Sequence, residues 1–167
     1  MVAGKMEIGN EEFNKREEAK IKEKVKVAVG ILFKNDAFLL ENDVHERAIT
    51  HKLAEYLQPQ FPDWHVDCEY NRDHMESKSL DTISECDEER KRTEFVVPDI
   101  IVHQRNRENN LLVIEIKTGD GKIDCDIKKL ELFTSDPKFM YKLGLFIKFN
   151  KTSNPEYKWF KNGKEYT

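Results

Sequence analysis

The stretches VVPDIIV (96–102) and LLVIEIK (111–117) decide the fold. Both are rich in β-branched residues, and the turn-like sequence RNRENN separates them, so they predict two strands. Because apolar residues occupy successive positions, both strands should be central and covered on both faces. We therefore expect a sheet with helices packed on either side.

Three charged residues interrupt these apolar strands. Asp99 follows Pro98 in the first strand, and Glu115 and Lys117 end the second. The acid-x-lysine tripeptide recurs elsewhere in the chain, but only here does it end an apolar strand. Side chains alternate along a strand, so Glu115 and Lys117 should share one face. Because charges inside a protein are costly unless they are paired, bound to metal or facing a cleft, these positions predict a functional site.

The residue types at this site favour metal-dependent chemistry. If the two strands are neighbours, the carboxylates of Asp99 and Glu115 converge without imidazole or thiolate nearby. Such oxygen ligands suit Mg²⁺ or Mn²⁺ better than zinc. A water deprotonated with help from Lys117 could then attack a phosphodiester. Two alternatives stay open: Glu115 and Lys117 begin a loop after the strand, or Asp99 marks a bulge or an edge strand.

Working outward, the remaining chain alternates helical and strand patterns. Apolar residues recur every three or four positions in the helical segments, and turn residues separate the elements. Asn42-Asp43 is expected to cap the second helix, and Asp124 or Asp126 the third. The predicted elements are a helix over 11–34, a break at 35–36, a helix from 44 to 57, a strand over 64–70, a polar surface loop over 71–94, the two strands above, a third helix, a strand over 143–149 and a hairpin at Asn162-Gly163.

This order predicts an α/β or α+β fold. Its core would be a central mixed sheet of about four to five strands flanked by helices, in the order helix, three strands, helix, strand. An extra helix precedes that core. We divide the chain into a helical extension over 1–42, a core over 43–150 and a lysine-rich hairpin or tail of the same domain over 151–167.

The charged positions resemble the signature of the PD-(D/E)XK nuclease superfamily, which has the restriction-endonuclease-like fold. That signature is a helix glutamate, an aspartate after a proline, and an acid-x-lysine on the next strand. The blocks ENDVHERAITHKLAEYLQ, VDCEYNR, PDIIVHQR and NLLVIEIK also resemble small bacterial members, and the likeness covers about 43–149. The exonuclease branch with a QxxxY motif is disfavoured, since no glutamine follows Gln104. The matching positions are Glu46, Pro98-Asp99 and Glu115-Ile116-Lys117.

The resemblance implies metal-dependent phosphodiester cleavage, with Mg²⁺ or Mn²⁺ as cofactor. Asp99, Glu115 and the backbone carbonyl of Ile116 would bind the metal. Glu46 would complete the site directly or through a water molecule, and Lys117 would orient the attacking water and stabilise charge. The catalytic set implied is thus Glu46, Asp99, Glu115 and Lys117. Glu46 has a structural alternative, since it could close a capping box with Asp43.

Several other residues are weaker candidates for substrate contact. Lys128 and Lys129 could touch phosphate from the third helix, although exposed helix lysines are the default. His103 and Arg105 continue the strand of Asp99 and could border a substrate groove. Glu69, on the first strand, could support the site from outside.

Composition limits the class of protein. The chain has 167 residues, 38% hydrophobic and 36% charged, with a mean hydropathy of -0.74. No apolar run approaches the roughly 20 residues that span a bilayer. The charged N-terminus does not resemble a signal peptide. Three widely spaced cysteines, Cys68, Cys86 and Cys125, are expected to be reduced thiols, which favours the cytoplasm.

Charge argues against bulk coating of nucleic acid. The net charge is -4 and the isoelectric point near 5.8. Residues 138–167, however, contain seven lysines and only two acidic residues. That segment is either a solvated tail or a phosphate-facing patch.

Three functional hypotheses follow. The first is a nuclease, acting on DNA. The second is a catalytically silent module of the same fold that binds nucleic acid or a protein partner. The third is a small regulatory protein whose N-terminal helix pairs with a copy of itself. A homodimer is also compatible with a nuclease, because cutting both strands of a duplex takes two sites or two visits.

Overall fold

The computed structural model describes residues 7–42, 45–68, 97–151 and 154–167. Within these ranges the chain forms three α-helices and a six-stranded mixed sheet, an α+β fold. The elements are α1 Glu7–Glu41, α2 Glu46–Leu57, a 3₁₀ turn Gln58–Gln60, β1 His65–Cys68, β2 Ile100–Gln104, β3 Asn109–Thr118, α3 Asp124–Ser135, β4 Leu143–Phe149, β5 Glu156–Lys161 and β6 Lys164–Tyr166.

The sheet follows chain order, β1-β2-β3-β4-β5-β6. Only β3 and β4 pair in parallel, and α3 provides the crossover between them. The expected order of helix, three strands, helix and strand is confirmed by α2, β1, β2, β3, α3 and β4. The sheet is wider than the four to five strands expected because the C-terminal hairpin adds β5 and β6 to it.

Helices cover both faces of the sheet. On one face, α1 and α2 pack against the apolar side chains of β2, β3 and β4 that include Ile114 and Ile147. On the other, Leu130 and Phe133 of α3 pack on Val113 and neighbouring residues. The two faces of β3 are therefore both buried, as its continuous apolar sequence predicted.

The N-terminal helix belongs to this core. Its apolar stripe is buried against the protein's own chain, including Val25 and Leu32, each 0% exposed. No helix in the part of the chain that the structure describes has the length and apolar character needed to cross a membrane.

Several helix boundaries differ from expectation. The break expected at Asn35-Asp36 is confirmed, since Asp36 has non-helical angles, φ -127° and ψ 29°, but the chain returns to helix after it and α1 ends at Glu41. The residue at the N-cap of α2 is His45, with no side-chain cap, while Asp43 lies outside the described residues. Ile123 holds the N-cap of α3, so the expectation that Asp124 or Asp126 caps it is wrong.

The strand boundaries decide between the alternatives that the sequence left open for Asp99, Glu115 and Lys117. β3 runs to Thr118 and includes Glu115 and Lys117, so these residues do not begin a loop. Asp99 immediately precedes β2, which lies between β1 and β3 and is not an edge strand. The register irregularity in β2 falls between Val102 and His103, away from Asp99. The expected loop over 71–94 and the residue Glu69 lie outside the described residues.

The C-terminal hairpin has the expected turn. Asn162 and Gly163 have positive φ angles of 52° and 75°. A type I′ turn requires this conformation at both central residues, and Asn-Gly adopts it readily. The hairpin places β5 against β4 and thereby shields β4 from being an edge.

Candidate active site

Asp99 and Glu115 lie side by side at one face of the sheet. The antiparallel register pairs Ile101 with Val113, which brings Asp99, two residues earlier, beside Glu115, two residues later. The Asp99 carboxylate oxygen Oδ2 accepts a 2.7 Å hydrogen bond from the backbone N–H of Ile116. The two carboxylates share the face covered by α3, as convergence on one site requires.

Glu115 is a buried carboxyl group. The residue is 1% exposed, and its Oε2 lies 2.8 Å from the Lys129 Nζ. Its Oε1 is buried without a hydrogen-bond partner among the described residues. Burial, reinforced by the Asp99 charge and opposed by Lys129, raises the pKa of Glu115 to about 8. An unsatisfied buried oxygen costs about 1–3 kcal/mol, so this position favours a proton or a cation.

Asp99 shows the same tendency. Burial raises its pKa to about 6, although the hydrogen bond from Ile116 and the charge of Lys129 act in the opposite direction. The charges of Glu46 and Asp126 raise this pKa further. Both carboxyl groups therefore favour the protonated form more than free carboxyl groups do.

Glu46 approaches from the other side of the sheet. It is the first residue of α2, and its Oε2 accepts a 2.9 Å hydrogen bond from the backbone N–H of Thr118. Glu46 therefore does not occupy position N3, as a capping box with Asp43 would require. Its carboxylate instead accepts a hydrogen bond at the carboxyl end of β3. The hydrogen bond fixes α2 to the residue that follows Lys117.

Lys117 points toward the N-terminal part of α3. Its Nζ lies 3.7 Å from Asp126 Oδ2, and the side chain is 23% exposed. Gly121 leaves the space that this lysine occupies, because a Cβ there would lie 2.9 Å from Lys117 Cε. The ammonium group is thus held at the end of β3 with access to solvent.

Asp126 is a site residue that the sequence reasoning treated only as a helix cap. Its Oδ1 lies 3.7 Å from the Lys129 Nζ, while its Oδ2 faces Lys117. One carboxylate therefore stands between the two lysines. The sequence signal that could have identified this residue is the i, i+3 spacing of Asp126 and Lys129, which places an acid and a lysine side by side on the helix that follows the acid-x-lysine motif.

The weaker candidates divide between the site and elsewhere. Lys129 is 4% exposed and bonded to Glu115, so it belongs to the buried charge cluster and does not face a phosphate from the surface. Lys128 is exposed on α3. His103 and Arg105 lie beyond Asp99 along β2 and contact Asp67 of β1 instead.

Asp67 organises that separate cluster. His103, 1% exposed, places its Nε2 2.7 Å from Asp67 Oδ2, and Arg105 Nε donates to the same oxygen over 3.0 Å. The hydrogen bond from Arg105, with that of His103, lowers the pKa of Asp67 despite partial burial. The cluster ties β1 to β2 and is structural.

Replacing Asp67 by asparagine is expected to reduce the free energy of unfolding at pH 7 by about 1–2 kcal/mol. Because the folded pKa of Asp67 is depressed, its contribution is present above the unfolded pKa and is lost as pH falls through the folded value. Urea unfolding at pH 7 and pH 3 measures this, with Asp63→Asn, an exposed aspartate, as the control. A deficit that is equal at both pH values would contradict the pairing.

The site fits a hard divalent cation in part. Its donors would be Asp99, Glu115 and the Ile116 carbonyl, all oxygen atoms, and the unpartnered Glu115 Oε1 is the atom that most needs a cation. Within the described ranges, no three His, Cys, Asp or Glu side chains group closely enough to hold a metal by themselves. A bound cation would therefore keep several water ligands, as Mg²⁺ commonly does.

No protein-family model matches the chain, and no curated protein matches it either.

Proposed function

We propose that the protein is a divalent-metal-dependent nuclease that hydrolyses phosphodiester bonds, with DNA as substrate. The observation that carries this proposal is the buried carboxyl group of Glu115 next to the partly buried Asp99, beside Lys117 at the carboxyl end of β3. The resemblance of these positions to the PD-(D/E)XK signature supports it. The fold, with its helix, three strands, helix and strand, is compatible with that resemblance.

The site residues have distinct roles in this proposal. Asp99, Glu115 and the Ile116 carbonyl would hold Mg²⁺ or Mn²⁺, which supplies a Lewis acid and lowers the pKa of water. Lys117 contributes a positive charge where the phosphate gains negative charge. Its contact with Asp126, 3.7 Å away, limits where the ammonium can lie.

Glu46 and Lys129 act around this centre. Glu46 accepts the Thr118 N–H and so orients the end of the strand that carries Lys117. Lys129 offsets the charge of Glu115 inside the protein. Unpaired, that carboxylate would be strongly destabilising in the folded state.

The proposal is tested by incubating the protein with plasmid, linear duplex, single strands, a branched junction and RNA, in Mg²⁺, Mn²⁺ or EDTA. Cleavage that requires metal is expected. Asp99→Asn should raise the Mg²⁺ concentration for half-maximal cleavage by about 10-fold or more, because it removes one anionic oxygen. Asp63→Asn, an exposed aspartate, is the matched control. Absence of cleavage on every substrate with either metal would refute the proposal.

Residence in the cytoplasm is part of this proposal. Cys68 and Cys125 form no disulfide within the described residues, as a reducing compartment allows. Nucleic acid is also accessible there.

One observation favours the second candidate, a nuclease-fold module that binds without cleaving. Lys129 already contacts Glu115 at 2.8 Å, and among the described residues no third acid completes a metal-binding group. Calorimetry separates the two candidates. If the protein binds oligonucleotides but no Mg²⁺, the binding module is the better description.

A further inference from the structure

A cavity of about 260 Å³ opens at the carboxyl ends of β3 and β4, on the face covered by α1 and α2. Its inner wall is formed by core side chains, Leu40, Ile49 and Phe149, which are 6%, 1% and 3% exposed. Polar groups, among them Thr118 and Asn150, line the rest. The cavity thus combines a rigid apolar wall with hydrogen-bonding groups.

Thr118 connects this cavity to the candidate active site. It lines the cavity, follows Lys117 along β3, and donates its backbone N–H to Glu46 over 2.9 Å. A ligand in the cavity would therefore contact Thr118, the residue next to Lys117 of the candidate active site on β3. The side chains of Thr118 and Lys117 project to opposite faces of the sheet, so a bound chain would cross the sheet edge between them.

Two lysine side chains stand at the edge between the two places, each 3.7 Å from an aspartate oxygen. Lys117 and Lys148 are register partners at the ends of β3 and β4, and their side chains are 23% and 24% exposed. The Lys148 Nζ lies 3.7 Å from Asp120 Oδ1, an exposed carboxylate that leaves the pair accessible to solvent. Two adjacent ammonium groups fit the phosphodiester of a strand that crosses this edge.

We propose that the cavity holds one unstacked nucleobase of the strand being cut, so that the substrate is single-stranded or locally unpaired nucleic acid. This inference rests on the proposed function, because it names the substrate class of that site. A volume of about 260 Å³ is below the roughly 300–1,000 Å³ of pockets for drug-sized ligands, so it suits a base and not a larger group.

The chemistry of a base matches the cavity. A base has an apolar face for the apolar wall and a polar edge for the polar residues Thr118 and Asn150. The side chains of these two residues also hydrogen-bond Glu46 and Glu156, respectively. In a continuous duplex the base would first have to be extruded, which costs a few kcal/mol. Unpaired strands avoid this cost.

The proposal is tested by a substitution that fills the cavity with a larger side chain. Leu39, partly buried, also lines it, whereas its neighbour Phe38 is 68% exposed. Leu39→Trp should weaken binding of a fluorescent oligothymidine about 10-fold or more in EDTA, because the indole would fill the space in which one base would bind. Phe38→Trp, the matched control, should bind as wild type does. Asn150→Ala should weaken binding in the same direction, and thermal unfolding checks that each variant folds.

The outcomes separate this inference from the nuclease proposal. If wild type cuts nucleic acid but Leu39→Trp binds oligothymidine as tightly as Phe38→Trp, the base site is wrong and the nuclease stands. If no cleavage occurs but binding still depends on Leu39, the base site stands alone. Failure of wild type to bind oligothymidine, or a preference for duplex over single strand, overturns the base site.

Discussion

Lys117→Met is expected to reduce metal-dependent cleavage by about 10²–10³-fold, the effect typical of removing one group that stabilises transition-state charge. Methionine keeps the length and apolar stem of the side chain but removes its ammonium. The residue is 23% exposed and its contact with Asp126 is long, at 3.7 Å, so the fold should tolerate the change. The loss should fall on kcat more than on KM, because the charge acts on the reacting phosphate.

The control for this prediction is Lys138→Met. Lys138 is exposed after the end of α3, and its replacement removes the same charge from the protein. Single-turnover cleavage with saturating Mg²⁺ compares the two variants with wild type. Equal rates for both variants would show that Lys117 contributes only net charge, and its catalytic role would be rejected.

The second large effect concerns pH. In EDTA the protein is expected to lose stability as pH rises from about 4.5 to about 8. The unfolded chain releases the Glu115 proton near 4.5, its ordinary pKa, whereas the folded protein holds that proton up to about 8. Between these values the unfolded state binds fewer protons than the folded state, so a rise in pH favours unfolding. Asp99, with a pKa raised to about 6, acts in the same direction.

Urea unfolding at pH 5.5, 7 and 8.5 measures this slope. Glu115→Gln should flatten it, since an amide does not titrate, whereas Glu108→Gln, an exposed glutamate, should leave it unchanged. Adding Mg²⁺ at pH 8.5 should stabilise wild type and not Glu115→Gln, because a cation replaces the proton on that carboxyl. A wild-type slope no steeper than that of Glu115→Gln would contradict the burial of Glu115 as a titrating group.

The strands of the core were predictable because their signal is local. Successive β-branched residues around Ile101 and Val113 indicate buried strands whatever their partners are, and β2, β3 and β4 follow. The turn at Asn162-Gly163 was equally local, since it depends on residues that tolerate positive φ. The break at Asp36 was predictable as well, whereas the return to helix after it, as far as Glu41, was not.

The site was only partly predictable, because some of its contacts join residues on different elements of the fold. Asp99 and Glu115 stood out because each interrupts an apolar run of sequence, although Asp99 itself lies just before β2. Asp126 did not, because an aspartate in the first turn of a helix is common and its contact with Lys117 crosses from α3 to β3. Lys129 was considered a surface lysine, since nothing in a sequence indicates which side of a helix will meet a buried carboxyl.

By itself, the sequence determined the strands, the helices, their order and the charged positions that interrupt them. These depend on side-chain periodicity and on backbone preferences, which act between residues close in the chain. Only the tertiary structure decided that Lys129 hydrogen-bonds Glu115, that Glu46 bonds Thr118, and that a cavity lies beside the site. Such partners are far apart in sequence, and packing and the cost of burying charge select them only once the layers have assembled.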